Sequence, residues 1–369
     1  MTGLYVHIPF CKSRCVYCGF YSTTLDTMKE KYVDALIEEL RLRAAEGQKW
    51  RTVYIGGGTP SSLDGRLLSK LFSAIDCSYS LETTIECNPD DINDNLADVI
   101  ADLPVDRVSM GAQTFDDDRL RFLRRRHKAS DVACAVERLR RRGIRNVSVD
   151  LMYGFPGETM DDWLLDIDKA LAIGVEHLSA YCLMYEEETP LFKMLKDGMV
   201  SEADEELSRE MYYCLIDRLQ SAGYEHYELS NFARDGKRSL HNSSYWSGIP
   251  YVGVGAAAHS YDGRCRQWNI DNLLIYINKV ENGELPFTSE LLTYDEKYND
   301  MVMLSLRTKE GIDLGKMSLE LGKEARDFCL EQARRYIRSG LLVAEGGSLR
   351  LSRDGLYVSD MVMSDLMKA

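Results

Sequence analysis

Three cysteines near the N-terminus have a spacing that suits a metal centre. Cys11, Cys15 and Cys18 stand at C-x3-C-x2-C spacing, directly after a short apolar run. Tetrahedral iron and zinc sites normally have four ligands, and thiolates suit both metals. Three local thiolates without a clear fourth ligand suggest a 4Fe-4S cluster with one iron open to a small molecule. A structural zinc site with a distant fourth ligand, or three unrelated cysteines, remains open on spacing alone.

Further candidate residues follow later strands of the predicted fold. Gly56-Gly57-Gly58-Thr59 comes directly after an apolar segment, and glycines there let the backbone approach a ligand and expose N–H groups. Glu86, Gln113 and Asp150 stand near the ends of three further strand-like segments. A single carboxylate at a strand end is more often a local cap, so only their convergence on one rim would indicate a site.

The elements that must position these residues alternate between strand and helix. Six strand-like segments are each followed by helical segments within about 220 residues, which predicts an α/β fold with parallel strands and outer helices. In parallel barrels the active site lies at the C-terminal ends of the strands, where the cysteine loop and the glycine loop also fall. The predicted strands are 4–8, 52–55, 83–89, 107–113, 146–154 and 177–183; the predicted helices are 27–45, 64–75, 94–103, 116–123, 129–142, 160–173 and 203–222.

The last quarter of the chain has a different pattern. Helices are predicted at 295–306 and 322–339, a small hairpin at 341–352 with a Gly346-Gly347 turn, and a last helix at 355–367. This order is typical of a small, mostly helical domain with a winged-helix-like hairpin.

Composition excludes several classes of function. The formal net charge of −14 argues against nucleic acid as the main partner, because phosphate backbones are repelled; two basic runs, 119–128 and 138–145, are read as solvated helix faces. We find neither an apolar run long enough to span a membrane nor a signal-peptide pattern, which favours a cytoplasmic protein. The seven scattered cysteines are expected to be reduced core residues.

Taken together, the motifs resemble those of radical S-adenosylmethionine (SAM) enzymes. The resemblance rests on the cysteine loop, Gly-Gly-Gly-Thr-Pro-Ser, Glu86-Cys-Asn-Pro, Gly111-Ala-Gln113 and Asp150-Leu-Met-Tyr-Gly-Phe-Pro-Gly. Within that superfamily, it points to the branch that contains oxygen-independent coproporphyrinogen III oxidase and the HemW group of haem chaperones. It implies a partial (β/α)6 TIM-like barrel at 1–235, a connecting region at 236–290, and a winged-helix-like domain at 291–369.

The resemblance also assigns roles to residues. It implies that Cys11, Cys15 and Cys18 ligate a 4Fe-4S cluster, whose fourth iron binds the amino and carboxylate groups of SAM; with one electron, such a centre cleaves SAM to a 5′-deoxyadenosyl radical. The backbone of the glycine loop would meet the SAM amino group, Glu86 and Asp150 would accept from ribose hydroxyls, and Arg125 would bind a carboxylate. The residues expected at the SAM site are Tyr5, Tyr17, Gly57, Gly58, Thr59, Glu86, Gln113, Arg125 and Asp150.

Two features favour the chaperone group over the oxidase. The oxidase pattern has a further cysteine two residues after the third, where this chain has Phe20. His241-Asn-Ser-Ser-Tyr-Trp246 matches the HNxxYW motif of the HemW group, which makes His241 a candidate axial haem ligand; neutral imidazole is a common ligand of haem iron.

The sequence therefore predicts a haem-chaperone-like protein. It would bind a 4Fe-4S cluster, SAM and haem, receive electrons from a reductant, and deliver haem to acceptor haem proteins, with or without turnover of SAM. The alternatives are an anaerobic coproporphyrinogen III oxidase and a radical SAM enzyme with an unrelated substrate. Oligomeric state is left open, a homodimer included.

Overall fold

A computed structural model describes residues 2–43 and 48–368 of the chain. The predicted end of the first helix, at residues 44–47, lies outside the described residues. In the first 233 residues the elements are β1 (Thr2–Ile8), α1 (Lys29–Arg43), β2 (Trp50–Gly57), α2 (Gly65–Ser73), β3 (Glu82–Cys87), α3 (Asp94–Asp102), β4 (Arg107–Gln113), α4 (Asp117–Phe122), α5 (Ala129–Arg141), β5 (Asn146–Tyr153), α6 (Met160–Ile173), β6 (His177–Cys182), α7 (Pro190–Lys196), α8 (Glu205–Ser221), β7 (Glu225–Glu228) and β8 (Asn231–Ala233).

The remaining elements extend the sheet and then form a second unit. They are α9 (Leu240–Trp246), β9 (Tyr251–Val254), β10 (His259–Tyr261), β11 (Cys265–Asn269), α10 (Leu273–Glu281), β12 (Phe287–Leu291), α11 (Tyr294–Leu306), β13 (Ile312–Asp313), α12 (Leu314–Leu321), α13 (Lys323–Arg338), β14 (Leu342–Glu345), β15 (Ser348–Leu351), α14 (Arg353–Leu356) and α15 (Ser359–Leu366).

The predicted parallel run β1 to β6 is confirmed. These six strands lie side by side in chain order within a sheet of order β12-β11-β10-β9-β1-β2-β3-β4-β5-β6-β8-β7. Adjacent members of β1–β6 pair in parallel, and β9 pairs in parallel with the other edge of β1. Within this sheet, the sequence predicts strands only up to β6, so β7–β12 are additions.

The apolar core lies between the outer face of this sheet and the helices. On β4 and β5 the outward residues Val108, Met110, Val147 and Val149 are buried in the main hydrophobic cluster with residues of the surrounding helices. Since successive strand residues point to opposite faces, the alternate residues point into the barrel, and these are polar. Ser109, Ser148 and Ser179 are examples on three neighbouring strands, all buried. The barrel thus has an apolar exterior and a polar interior.

The C-terminal unit has its own core and a three-stranded sheet of order β13-β15-β14. The hairpin β14–β15 is confirmed, with Gly346 and Gly347 both at positive φ in its turn. The single last helix predicted at 355–367 is wrong. Val358, which has the non-helical angles φ −103° and ψ 22°, separates α14 from α15. None of the described helices is long and apolar enough to cross a membrane.

Candidate functional site

A cavity of about 600 Å³ opens at the C-terminal ends of the parallel strands. We call it the central cavity. Every site residue predicted from the sequence lines it: Tyr5, Cys11, Cys15, Tyr17, Cys18, Gly57, Gly58, Thr59, Glu86, Gln113, Arg125, Asp150 and His241. The structure therefore brings together the cysteine loop, the glycine loop and the polar strand ends around one cavity.

The cysteine loop is held between two other loops of the rim. The backbone N–H of Val16 donates to the carbonyl of Leu123 at 3.3 Å, and the Val16 carbonyl accepts from the N–H of Leu191 at 2.9 Å. The loop therefore bridges the segment before Arg124 and the segment after β6. All ten cysteines of the chain are free thiols.

The glycine loop passes the cysteine loop at a distance that leaves no room for side chains. A Cβ on Gly58 would lie 3.0 Å from the Cys11 sulfur and 2.9 Å from the Pro9 carbonyl carbon. Gly57 has φ +113°, and a Cβ there would lie 2.6 Å from the ring of His7. The backbone of β2 can therefore approach whatever the thiols bind.

Glu86 lies beside this loop on the neighbouring strand. Its carboxylate accepts from the Tyr54 hydroxyl at 2.7 Å and from the Gly57 N–H at 3.1 Å. Burial raises the pKa of Glu86 from 4.5 to about 7, and the charge of Asp150 adds to this effect. Burial also raises the pKa of Asp150. Two carboxyl groups on the wall of one cavity are thus costly to ionise unless a ligand supplies hydrogen-bond donors.

Arg125 connects the strand ends with the cysteines. Its Nη2 donates to Asn88 Oδ1 at 2.8 Å and to the Gly111 carbonyl, and its Nη1 lies 3.7 Å from the Cys15 sulfur. Gly111 leaves space for this arrangement, because a Cβ there would lie 3.1 Å from Arg125 Nη2. Gln113, at the end of the same strand, has a positive φ of 67°. A non-glycine residue seldom adopts this conformation, and such residues cluster at ligand sites.

Tyr5 lines the cavity, and its hydroxyl is oriented by a chain of hydrogen bonds through His7. His7 Nε2 lies 3.1 Å from the Tyr21 carbonyl and must donate to it. Its Nδ1 is then an acceptor, so the Tyr5 hydroxyl donates to it at 2.9 Å. Burial lowers the pKa of His7 to about 4, so the ring is neutral.

His241 lies on α9, inside the barrel. The ring is 1% exposed, its Nδ1 is 2.8 Å from Thr52 Oγ1, and its Nε2 is 2.8 Å from the Tyr245 hydroxyl. Burial lowers the pKa of His241 to about 3. Both ring nitrogens are therefore engaged, and a haem iron that bound Nε2 would have to replace the hydrogen bond with Tyr245.

Glu82 fixes the position of α9. Its carboxylate accepts from the backbone N–H groups of Leu240 and His241, each at 3.0 Å. Glu82 is 3% exposed. A buried acid at the first turn of this helix satisfies N–H groups that have no partner within the helix.

The sequence analysis missed a polar row below the predicted residues. Arg107 is 1% exposed and lines the central cavity, and its Nε and Nη1 have no hydrogen-bond partner among the described residues. Thr84, its register neighbour on β3, has an unpartnered hydroxyl. The signal was present in the sequence as polar residues at every second position of β3 to β6. Only Glu86, Gln113 and Asp150, the last of these polar residues on β3, β4 and β5, were predicted from the sequence.

The residues present suit a cluster on chemical grounds. Three free thiols line one cavity, a guanidinium lies next to one sulfur, and the glycine loop leaves space beside another. Hydrogen-bond donors to ligating sulfur are typical of such centres. Within residues 2–43 and 48–368, no group of three or more His, Cys, Asp and Glu side chains is arranged to hold a single metal ion.

Two family models match the chain. The Radical SAM superfamily model matches residues 5–170, and the HemN C-terminal domain model matches residues 292–358.

Curated relatives match over nearly the full length. The heme chaperone HemW of Lactococcus lactis is 33% identical, over 99% of this chain and 97% of the relative. That of Bacillus subtilis is also 33% identical, over 98% of each. The radical S-adenosyl methionine domain-containing protein 1, mitochondrial, of Mus musculus is 31% identical, over 99% of this chain and 87% of the relative.

Among solved structures, the coproporphyrinogen III oxidase HemN of Escherichia coli, described as a radical SAM enzyme, superposes with a TM-score of 0.86. It covers 100% of this chain and 90% of that chain, at 21% identity. At this identity the likeness shows a shared fold.

Proposed function

Because the chain belongs to the HemW family of haem chaperones, within the radical SAM superfamily, we propose that it binds haem and delivers it to an acceptor haem protein. The observation that carries this proposal is the central cavity, where all predicted cluster and SAM residues face one space. Membership of the superfamily implies a 4Fe-4S cluster and SAM; haem binding is inferred from the names of the relatives.

We assign the roles as follows. Cys11, Cys15 and Cys18 ligate the cluster, and Arg125 donates to the sulfur of Cys15 and binds a carboxylate. When a cluster with bound SAM is present and reduced, it supplies one-electron cleavage chemistry. The chain itself binds, orients and shields these groups.

The remaining residues would bind SAM. The backbone of Gly57, Gly58 and Thr59 faces the amino group. Glu86 and Asp150 accept from ribose hydroxyls, which supply the donors that two buried carboxylates require. The other assigned residues are Gln113 and Tyr5, which line the site, and Tyr17, which stacks on adenine.

We also propose a cellular compartment, a source of electrons and a domain division for the protein. Ten free cysteines suit a reducing compartment, so we place the protein in the cytoplasm, with a cellular reductant for the cluster. The division into 1–235, 236–290 and 291–369 is retained as a proposal; it is supported by the separate C-terminal core.

Anaerobic reconstitution tests the proposal. We expect iron and sulfide to bind the wild type, and much less to bind the Cys15→Ser variant, while Cys134→Ser, at an exposed thiol outside the cavity, retains a full cluster. SAM should change the cluster spectrum, and haem should bind with saturation. Formation of protoporphyrinogen from coproporphyrinogen III under reducing conditions would instead support the oxidase.

A further inference from the structure

We propose that haem docks on the outer rim of the central cavity, with its ring on Phe20 and Met184 and its two propionates on Arg14 and Arg124. We call these four residues the rim surface. The inference rests on the proposed haem-binding function and names the surface that performs it.

Two large apolar side chains are exposed at the mouth of the cavity. Phe20 is 72% exposed and Met184 is 64% exposed, and both line the central cavity. Large apolar side chains held at the mouth of a binding cavity mark a surface that contacts a ligand. An aromatic face and a thioether suit the flat apolar ring of haem.

Two arginines at the rim carry positive charge that no carboxylate of the protein balances by an ion pair among the described residues. Arg14 and Arg124 are exposed and line the same cavity. Their neighbours Arg121 and Arg126 form ion pairs with aspartates, whereas Arg14 and Arg124 take part in none of the ion pairs among the described residues. Guanidinium groups that lack a carboxylate partner suit the carboxylates of a ligand.

The loops that carry the residues of the rim surface are connected to one another. Val16 hydrogen-bonds on one side to Leu123, next to Arg124, and on the other to Leu191, after the loop that carries Met184. Gly19, next to Phe20, lies against the carboxylate of Glu186, with no space for a Cβ between them.

The charges on the rim also set the orientation of the ligand. Glu186 lines the rim on the side of Met184, and Glu187 and Glu188 follow it in an exposed loop. Propionates would be repelled from that side and attracted to the side of Arg14 and Arg124. The apolar edge of the ring then faces the acidic loop.

The experiment compares haem with haem dimethyl ester, in which both propionates are neutral. Both ligands are titrated in the same mild detergent, and binding is followed by the Soret absorption. We expect the wild type to prefer haem by roughly tenfold, about threefold for each exposed charge pair. The double variant Arg14→Gln/Arg124→Gln should lose this preference, while Arg121→Gln, a paired exposed arginine nearby, should keep it.

A second variant separates ring contact from charge. Phe20→Ser should weaken both ligands alike and leave their ratio unchanged, because Phe20 contacts the ring. Cluster content and SAM binding, measured on each variant, report whether the fold is retained.

The outcomes distinguish the two proposals. Absence of haem binding by the wild type would refute the proposed function and the rim surface together. Saturable haem binding that is unchanged in the rim variants, but lost in His241→Ala, would refute the rim surface alone and place haem in the barrel.

Discussion

Glu86 is expected to lower the stability of the SAM-free protein at neutral and higher pH. Burial raises the pKa of its carboxyl from 4.5 to about 7, so the folded state holds this proton more tightly than the unfolded state does. The contribution of Glu86 to the free energy of unfolding is therefore greatest below pH 4.5. It falls as pH rises towards 7 and stays low above that. Replacing Glu86 with Gln removes the ionisation and should stabilise the protein at pH 8.

The structure gives the magnitude. Each pKa unit corresponds to about 1.4 kcal/mol. The rise of the Glu86 pKa from 4.5 to about 7 therefore sets an upper limit of about 3 kcal/mol on the stability lost when Glu86 ionises in the folded protein. Because Glu86 is only partly buried where it lines the cavity, we expect Glu86→Gln to raise the free energy of unfolding by about 1 to 2 kcal/mol at pH 8 relative to pH 5. The amide of this variant retains both hydrogen bonds if its oxygen accepts from the Gly57 N–H and its nitrogen donates to the Tyr54 hydroxyl.

The assay is urea denaturation of the SAM-free protein at pH 5 and pH 8. Glu82→Gln is the matched control, since Glu82 lies on the same strand and accepts from two backbone N–H groups of α9. An amide there sets a donor against a donor, so we expect a loss of about 1 to 3 kcal/mol. SAM titration should show weaker binding to Glu86→Gln. Equal destabilisation of Glu86→Gln at both pH values would refute the reasoning.

Three further substitutions test the surroundings of the site. Gly58→Ala places a Cβ 3.0 Å from a thiol sulfur of the cysteine loop; we expect a cost of about 1 to 3 kcal/mol and less iron bound per chain after reconstitution. Arg307→Ala leaves the buried Glu228 without its 2.7 Å ion pair. We expect the free energy of unfolding to fall by about 2 kcal/mol, and adding Glu228→Gln to this variant should partly restore it. Tyr245→Phe removes the partner of His241 Nε2 and should cost about 1 to 3 kcal/mol by thermal or urea unfolding.

Gly58→Ala and Tyr245→Phe each have a matched control. Gly315→Ala, in α12, places a Cβ 3.1 Å from the Asp313 side chain and outside the central cavity, and should retain iron. Tyr213→Phe, at a partly exposed ring, should unfold like the wild type. Unchanged iron content in Gly58→Ala would contradict the inferred closeness of the two loops.

The six-strand run could be predicted because its signals are local. Each of β1 to β6 has an apolar outward face, and from β2 onwards each is followed by a helix with its own start signal, such as Asp64 before α2 or Thr159 before α6. The site residues could be placed because the carboxyl ends of parallel strands share one edge. Motifs far apart in the chain therefore converge.

The rest depended on contacts between distant segments. Strands β9 to β12 are short, with three to five residues each, and the pairing of β9 with β1, which joins them to the barrel sheet, is decided by tertiary packing. Residue types also could not reveal that Glu82 anchors α9, since the two are 157 residues apart or more. The unpartnered Arg107 was missed because a single arginine at a strand start looks like a surface residue.

The position of β1 has a consequence for synthesis of the protein. This strand precedes the cysteine loop and is translated before both of its partners, because one of its edges pairs with β2 and the other with Tyr251–Val254. Until Tyr251–Val254 has been translated, one edge of β1 is unpaired, and the sheet that carries the cysteine loop is incomplete. The helix that carries His241 is translated just before the pairing strand. Stable insertion of iron is therefore expected only after about two-thirds of the chain has left the ribosome, so cofactor loading is coupled to translation of residues 251–254.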